Sequence, residues 1–241
     1  MQQYERHTLL DINFEGRMRI FTEAVAKGYG RDACLEMLLP EMQKPGKDSV
    51  ARDKRFLAIP GIVRREDTAP RPGEIAVGFT SEASGAMGRL RLPGFVLPDA
   101  VLRSRTPVDV LQQALGSASF SRTPALQALE AVVTCGLRGT RIGVWGSTGL
   151  ELATGYKYTH KASDLDVQLQ PEVGLSPDLL EEWHALMLTV ENRFEIRIDA
   201  EIQLKSGYGV SLKECCKKTK TVLGKGLDDV RLLSRDDIFT G

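Results

Sequence analysis

The sequence is poor in the residues from which thiolate and imidazole metal sites are built. It contains four cysteines and three histidines in 241 residues. No two cysteines have the C-x-x-C spacing, and none has a histidine at the distance along the chain that zinc sites use. A structural zinc site is therefore not expected, and the cysteines are interpreted as free thiols in a reducing cytosol.

Excess charge of one sign and long apolar runs are also missing. The 32 Lys and Arg residues balance the 32 Asp and Glu residues, so the whole molecule has no net charge with which to attract nucleic acid or a membrane. The first residues, MQQYERHTLLDINFEG, contain no apolar core of a signal peptide. No segment reaches the length of about 18 apolar residues typical of a membrane span. We therefore expect a cytoplasmic protein with no membrane partner, for which nucleic acid is not the expected ligand.

Apolar residues make up 42% of the chain, which is enough for a sizeable core. Residues 1–119 contain short elements separated by Pro and Gly, among them a strand at residues 74–80 and a turn at Pro93-Gly94, and predict a small α+β domain. Residues 120–241 are more regular and predict a catalytic domain. The fold class is therefore predicted to be α+β.

The second domain alternates strands and helices. Pro124 suits the first position of a helix over residues 123–135. Strands are predicted at residues 141–145, 164–169 and 194–204, with an amphipathic helix over residues 177–192. This order is typical of a mixed sheet flanked by helices.

Two aspartates in one predicted strand are the first candidate site residues. Residues two apart in a strand point to the same face, so Asp164 and Asp166 project together while Leu165 points the other way. Adjacent carboxylates repel each other unless a cation lies between them. Carboxylates and substrate phosphates are the ligands that Mg²⁺ prefers. Taken alone, a D-x-D pair is also typical of surface carboxylates or of a turn at a strand end.

A third carboxylate is available from the predicted strand at residues 194–204. Asp199 and Glu201 both lie on its polar face, so periodicity cannot choose between them. We favour Asp199, because its shorter side chain matches the reach of the two other aspartates. Glu201 is then interpreted either as a group that supports the metal ligands from behind or as a contact to a substrate hydroxyl.

Gly146-Ser147 separates a predicted strand from a predicted helix. Glycine allows close approach of the backbone to a phosphate, and a helix N-terminus offers free N–H groups and a positive dipole to an anion. A dipeptide of this kind alone is more often a simple turn. Together with the carboxylates, it predicts a site for a metal-bound triphosphate.

Two groups of basic residues are further candidates for contacts to phosphate. Arg64 and Arg65 end an apolar strand, and arginine pairs with phosphate through two hydrogen bonds. Lys217, Lys218, Lys220 and Lys225 form a local basic run, a candidate for contact with an acidic partner protein or with the triphosphate. The alternative for both groups is a solvated surface.

These motifs carry a family resemblance. Gly146-Ser147 followed by Asp164-x-Asp166 resembles the signature of the polymerase-β-like nucleotidyltransferase superfamily. The segments GVWGSTGLELATG, SDLDVQL, RIDAEIQL and GYGVSLKE resemble, more narrowly, the malonate decarboxylase holo-acyl-carrier-protein synthase family, whose members are phosphoribosyl-dephospho-CoA transferases. IPGIVRRE and GEIAVGF resemble the N-terminal domain of that family.

The resemblance implies a reaction and roles for residues. The family transfers a prosthetic group from triphosphoribosyl-dephospho-CoA to a serine of an apo acyl carrier protein and releases diphosphate. Asp164 and Asp166 would hold Mg²⁺, with Mn²⁺ as the alternative, and Gly146 and Ser147 would contact phosphates. Asp199 would complete the metal cluster, as in the similar Arg-Ile-Asp strand of superfamily polymerases.

Two other functions are compatible with the same residues. One is a nucleotidyltransferase that acts on a small molecule, a nucleic acid or another protein. The other is a non-catalytic domain that binds a nucleotide or a partner. The complete set of acidic positions favours catalysis over the second of these.

Overall fold

The structure, a computed structural model, describes residues 4–42, 58–65, 71–85, 88–116, 120–217 and 219–240. Lys218 of the predicted basic run lies outside these ranges. The chain divides into two compact units, Met1–Ser104 and Arg105–Gly241. In the ranges that the structure describes, no helix is both long and apolar enough to cross a membrane.

The first unit is built on a five-stranded sheet with strand order β4-β3-β2-β1-β5. Its strands and helices are β1 (Leu9–Ile12), α1 (Phe14–Ala26), α2 (Arg31–Leu38), β2 (Gly61–Val63), β3 (Ile75–Gly85), β4 (Gly88–Val96) and β5 (Val101–Arg105). Helix α1 contacts β4 and buries Ile20, Phe21 and Ala24, which lie on one face at helical spacing.

The turn predicted at Pro93-Gly94 is wrong, because β4 runs through both residues. Gly78 of β3 lies opposite Pro93, and Val77 lies opposite Gly94. Proline is tolerated there because β4 is an edge strand and pairs with β3 only. On its other side, no neighbouring strand of this sheet needs the hydrogen bond that proline cannot donate. Gly94 allows α1 to pack closely, since a Cβ there would lie 3.0 Å from Ile20.

The second unit contains a six-stranded mixed sheet with helices, as the sequence predicts. Its strand order is β11-β10-β9-β8-β7-β6. The elements are α3 (Pro107–Ala114), α4 (Pro124–Cys135), β6 (Thr140–Val144), α5 (Gly146–Thr154), β7 (Leu165–Pro171), α6 (Pro177–Phe194), β8 (Ile198–Gln203), β9 (Gly209–Ser211), α7 (Leu212–Cys215), β10 (Thr221–Lys225), β11 (Val230–Ser234) and α8 (Arg235–Thr240). Strands β7 and β8 are parallel, and α6 makes the crossover between them. The α+β class is confirmed.

Three helices of this unit begin at side-chain caps, and two of them, α4 and α6, begin where the sequence predicts. Thr106 caps α3 and forms a reciprocal capping box with Asp109. Thr123 caps α4 and Ser176 caps α6, and each cap is followed by a proline in the first turn. These caps satisfy N–H groups that have no partner within the helix.

The strand predicted over residues 194–204 is too long. Helix α6 continues to Phe194 and ends on Glu195, whose φ of 53° is left-handed and whose N–H donates to the carbonyl of Glu191. Strand β8 begins only at Ile198. The alternation of polar and apolar residues continues across this helix end, so the pattern alone does not locate the boundary.

The two faces of the sheet differ in composition along β7 and β8. Leu165, Val167 and Leu169 are fully buried on one face, together with Ile198 and Ile202 of the parallel neighbour. The other face is polar, and along the same two strands it carries Asp166, Gln168, Asp199, Glu201 and Gln203. The polar face is the one that bears the candidate site.

Helix α3 packs against the polar face at β6. Gly143 lies opposite Gln168 and so faces the same side. A Cβ at Gly143 would lie 2.8 Å from backbone atoms of Pro107 and Val108. Contacts of this kind group α3 with the second unit, whereas the division predicted from the sequence, at residues 119/120, places α3 in the first domain.

We expect Gly143→Ala to destabilise the protein, because the new methyl group has no room against the backbone of α3. Overpacking of this kind costs about 1–3 kcal/mol. Gly174→Ala is the control, since a Cβ there meets nothing within 4 Å. Chemical denaturation should show the loss for Gly143→Ala only, and equal stabilities of the two variants would contradict this account of the packing.

Candidate active site

Three carboxylates meet at one end of the second sheet. Asp164 immediately precedes β7, and Asp166 is the second residue of that strand. Asp199 is the second residue of β8 and lies directly opposite Asp166 in the parallel register. One carboxylate oxygen from each residue lies within 4.8 Å of the others. This spacing allows the three aspartates to coordinate the same cation.

Asp166 is the most perturbed member of the cluster. Burial, together with the negative charges of Asp164 and Asp199, raises the pKa of Asp166 to about 7, although the positive charge of Arg197 opposes these effects. A carboxylate in this environment is stabilised either by a proton or by a bound cation. The electrostatics of the cluster therefore fit a divalent metal ion.

Gly146 connects β6 to α5 beside Asp166. Its φ of +63° lies in the left-handed region, and a Cβ there would lie only 2.0 Å from Oδ2 of Asp166. Glycine is required at this position because the carboxylate occupies the space of a side chain. The same connection places the N-terminus of α5, including the half-buried Ser147, next to the cluster.

Asp199 is paired with Arg197 on the exposed side of the cluster. The Nε atom of Arg197 donates to Oδ1 of Asp199 at 3.0 Å, and its Nη2 atom donates to Oδ2. The guanidinium is 67% exposed, so it can move without disrupting a core. It offsets part of the negative charge of the cluster.

Glu201 lies apart from the three aspartates and is buried. Its carboxylate fills the space above Gly209, where a Cβ would lie 2.1 Å from Oε1 of Glu201. The Nζ atom of Lys225 lies 3.9 Å from its other oxygen. In the part of the chain that the structure describes, the group of carboxylates able to share a metal contains Asp199 and not Glu201. The geometry thus favours Asp199 as the third ligand, as the sequence suggested.

Arg64 and Arg65 belong to the first unit, where they directly follow β2. The N–H of Arg64 donates to the carbonyl of Ala76 at 3.1 Å, and its side chain passes over Gly78, at 3.3 Å from the position of a Cβ. Their contact with substrate phosphates stays a prediction.

Sequence reasoning missed a charged network behind the cluster. Glu151 of α5 accepts hydrogen bonds from Arg122 and from both the N–H and the hydroxyl of Thr159, at 2.7 and 2.8 Å for the latter two. The sequence offers one clue to Glu151, which is that it lies about one turn into the helix that follows Gly146-Ser147. Its partners come from distant segments and leave no periodic pattern.

We expect Asp166→Asn to change how stability depends on pH. An aspartate has a pKa near 3.9 in an unfolded chain, so a folded-state pKa of about 7 means that the wild-type protein loses stability as pH rises from about 4 through 7. The variant lacks this loss. In EDTA, the free energy of unfolding of the variant should therefore rise relative to that of the wild type as pH increases between those values, by on the order of a few kcal/mol. A constant difference in denaturation experiments across this range would contradict the assignment.

Comparisons with known proteins were consistent with this site. Residues 110–236 match the family described as the phosphoribosyl-dephospho-CoA transferase MdcG C-terminal domain. This range includes the three aspartates, Gly146 and Ser147. No solved structure matches the chain.

Named relatives cover most of the chain. A phosphoribosyl-dephospho-CoA transferase of Xanthomonas campestris pv. campestris is 29% identical over 185 residues, which is 75% of this chain and 81% of the relative. The transferase of Klebsiella pneumoniae is 30% identical over 169 residues, or 69% and 76% of the two chains. That of Pseudomonas fluorescens is 32% identical over 177 residues, or 73% and 77%. The resemblance found in the sequence is confirmed, and the chain belongs to the MdcG family of phosphoribosyl-dephospho-CoA transferases.

Proposed function

We propose that this enzyme transfers the phosphoribosyl-dephospho-CoA group from triphosphoribosyl-dephospho-CoA to a serine of an apo acyl carrier protein. The carrier is the one that serves malonate decarboxylase. In the reaction, the serine oxygen bonds to the phosphorus atom next to the ribose, which creates a phosphodiester. The bond between that phosphorus and the diphosphate breaks. The proton of the serine hydroxyl passes to a carboxylate.

The observation that carries the proposal is the carboxylate cluster at the N-terminus of α5. Asp164, Asp166 and Asp199 each offer a carboxylate oxygen within 4.8 Å of the others, which suits Mg²⁺, or Mn²⁺ as its alternative. A metal ion bound there would neutralise charge on the transferred phosphate and on the leaving diphosphate. The raised pKa of Asp166 supports this assignment, because a bound cation would offset both the burial of its carboxylate and the repulsion by Asp164 and Asp199 that raise the pKa.

The protein's own groups orient the triphosphate. The first N–H groups of α5 have no partners within the helix, and its positive dipole favours phosphate oxygens. Trp145, at the N-cap, makes no side-chain capping hydrogen bond. We assign Ser147 as a hydroxyl contact and the backbone of Gly146 as a further phosphate contact, on the side that the carboxylate of Asp166 leaves open. Arg64 and Arg65 are proposed to contact phosphates of the CoA-like part of the substrate.

Arg197 and Glu201 have supporting roles in this proposal. Arg197 shields Asp199 in the absence of metal, since it holds both carboxylate oxygens. Glu201 is nearly as buried as the apolar core, at 5% exposure, and shapes the polar face beyond the cluster. It is proposed to contact a substrate hydroxyl and not the metal.

We expect Asp199→Asn to lower kcat far more than Glu201→Gln. A direct ligand acts on charge that develops in the transition state, and its loss costs roughly 100-fold or more. Asp164→Asn and Asp166→Asn should be equally severe. Glu201→Gln keeps the size of the side chain and should cost about tenfold or less. Steady-state kinetics with circular dichroism as a folding control would test this. A loss confined to Glu201→Gln would overturn the choice of Asp199.

The acceptor is tested by incubating the enzyme with Mg²⁺, triphosphoribosyl-dephospho-CoA and the apo carrier protein of malonate decarboxylase. Mass spectrometry should show the prosthetic group on one serine, with one diphosphate released for each carrier modified. A carrier with that serine changed to alanine is the control and should stay unmodified. Transfer to a small alcohol, a nucleic acid or an unrelated protein, with no change in the carrier, would favour the alternative nucleotidyltransferase. The absence of any transfer would favour a binding domain.

A further inference from the structure

An ion-pair network joins α5 and the loop that leads to Asp164 with the segment before α4. Arg122 precedes α4, Glu151 lies in α5, and Thr159 lies in the loop between α5 and β7. The Nε atom of Arg122 donates to Glu151 at 2.9 Å, and its Nη2 atom donates to the carbonyl and the hydroxyl of Thr159 at 3.0 and 2.8 Å. Glu151 accepts from the N–H and the hydroxyl of Thr159. We call these three residues the Glu151 clamp.

The clamp is shielded from water at its centre. Thr159 is 3% exposed, and the side chain of Glu151 is 11% exposed. Charge-assisted hydrogen bonds are stronger in such surroundings than at a surface, and removing one partner leaves the other buried and unpaired. The hydroxyl of Thr123 also lies 2.9 Å from that of Thr159, so the network fixes this part of the loop closely.

The loop runs from the clamp to Asp164 through a hydrogen-bonded turn. The N–H of His160 donates to the hydroxyl of Ser163 at 3.0 Å, and the N–H of Ser163 donates back to the carbonyl of His160 at 3.1 Å. Ser163 is itself buried. Leu165, on the other side of Asp164, donates to the carbonyl of Arg197 at 2.9 Å. Asp164 is therefore held at both ends although its side chain is exposed.

The same clamp holds the helix whose N-terminus faces the cluster. Glu151 lies five residues after Gly146 in a helix of nine residues, so a shift of Thr159 relative to Glu151 moves Asp164 relative to the first turn of α5. We propose that Glu151, held by Arg122, is a positioning residue that fixes Asp164 relative to the N-terminus of α5. The inference rests on the proposed function, in which Asp164 binds the metal ion.

The test compares Glu151→Gln with Glu182→Gln. The amide of Glu151→Gln places an NH₂ group against the donors of Arg122 or Thr159, so the clamp cannot form completely. Glu182 is the matched control, because it pairs with Arg138 at 2.8 Å on the surface, with 45% and 71% of the two side chains exposed. Mn²⁺ alone is titrated into each full-length protein by calorimetry, and Tm is measured in parallel.

We expect Glu151→Gln to weaken Mn²⁺ binding by roughly 10- to 100-fold, as replacement of groups that orient metal ligands does. Glu182→Gln should bind Mn²⁺ as the wild type does. Arg122→Lys keeps a positive charge beside Glu151 but lacks the planar fork that reaches Thr159, so its Mn²⁺ affinity should fall between those of the wild type and Glu151→Gln. If Glu151→Gln does not fold, Arg122→Lys decides by the same criterion.

A variant with lower Tm but unchanged Mn²⁺ affinity would overturn the proposal, because the clamp would then only stabilise the fold. Asp166→Asn separates this failure from that of the proposed function. If Asp166→Asn loses Mn²⁺ while Glu151→Gln keeps it, the metal site is correct and the clamp does not position it. If the wild type and Asp166→Asn bind Mn²⁺ equally, the proposed metal site itself is wrong, and the inference falls with it.

Discussion

The parallel pairing of β7 with β8 sets Asp166 directly opposite Asp199, and the rest of the site follows from the repulsion between them. Like charges this close favour a proton, a cation or a counter-ion. The structure contains two of these responses. Burial and the negative charges of Asp164 and Asp199 raise the pKa of Asp166 to about 7, and Arg197 pairs with Asp199. A divalent ion bound at this site would relieve the repulsion between the carboxylates, and this relief strengthens its binding.

Each strand that carries the cluster is anchored at its start by a partly buried glutamate. Glu151 fixes the loop that leads to β7. At the start of β8, Glu191 accepts from the N–H of Ile198 at 2.5 Å and from Lys213 at 2.6 Å, while Lys213 also donates to the carbonyl of Ile198 at 3.0 Å. Both glutamates bond to backbone groups, so they restrain the strand ends and not only the side chains. Preorganised ligands of this kind reduce the reorganisation that binding requires.

Gly146, at the end of β6, serves both the packing and the proposed chemistry of the site. The sequence suggested a glycine that lets a phosphate approach the backbone. In the structure, the side-chain space of this glycine is taken by the carboxylate of Asp166. Gly146 thus makes room for Asp166, a ligand of the proposed metal, and also begins the helix that is proposed to face the phosphates. The metal-binding and phosphate-binding parts of the site therefore depend on the same turn.

The sequence by itself determined the periodic and local features: the α+β class, the starts of α4 and α6 at Pro124 and Pro177, and the family. Strand period and capping chemistry depend on neighbours in the chain, so they can be predicted from it. Only the tertiary structure decided that β8 starts at Ile198, that Asp199 and not Glu201 joins the cluster, and that Glu151 meets Thr159. These depend on the register between strands and on contacts between distant segments, which a linear pattern does not encode.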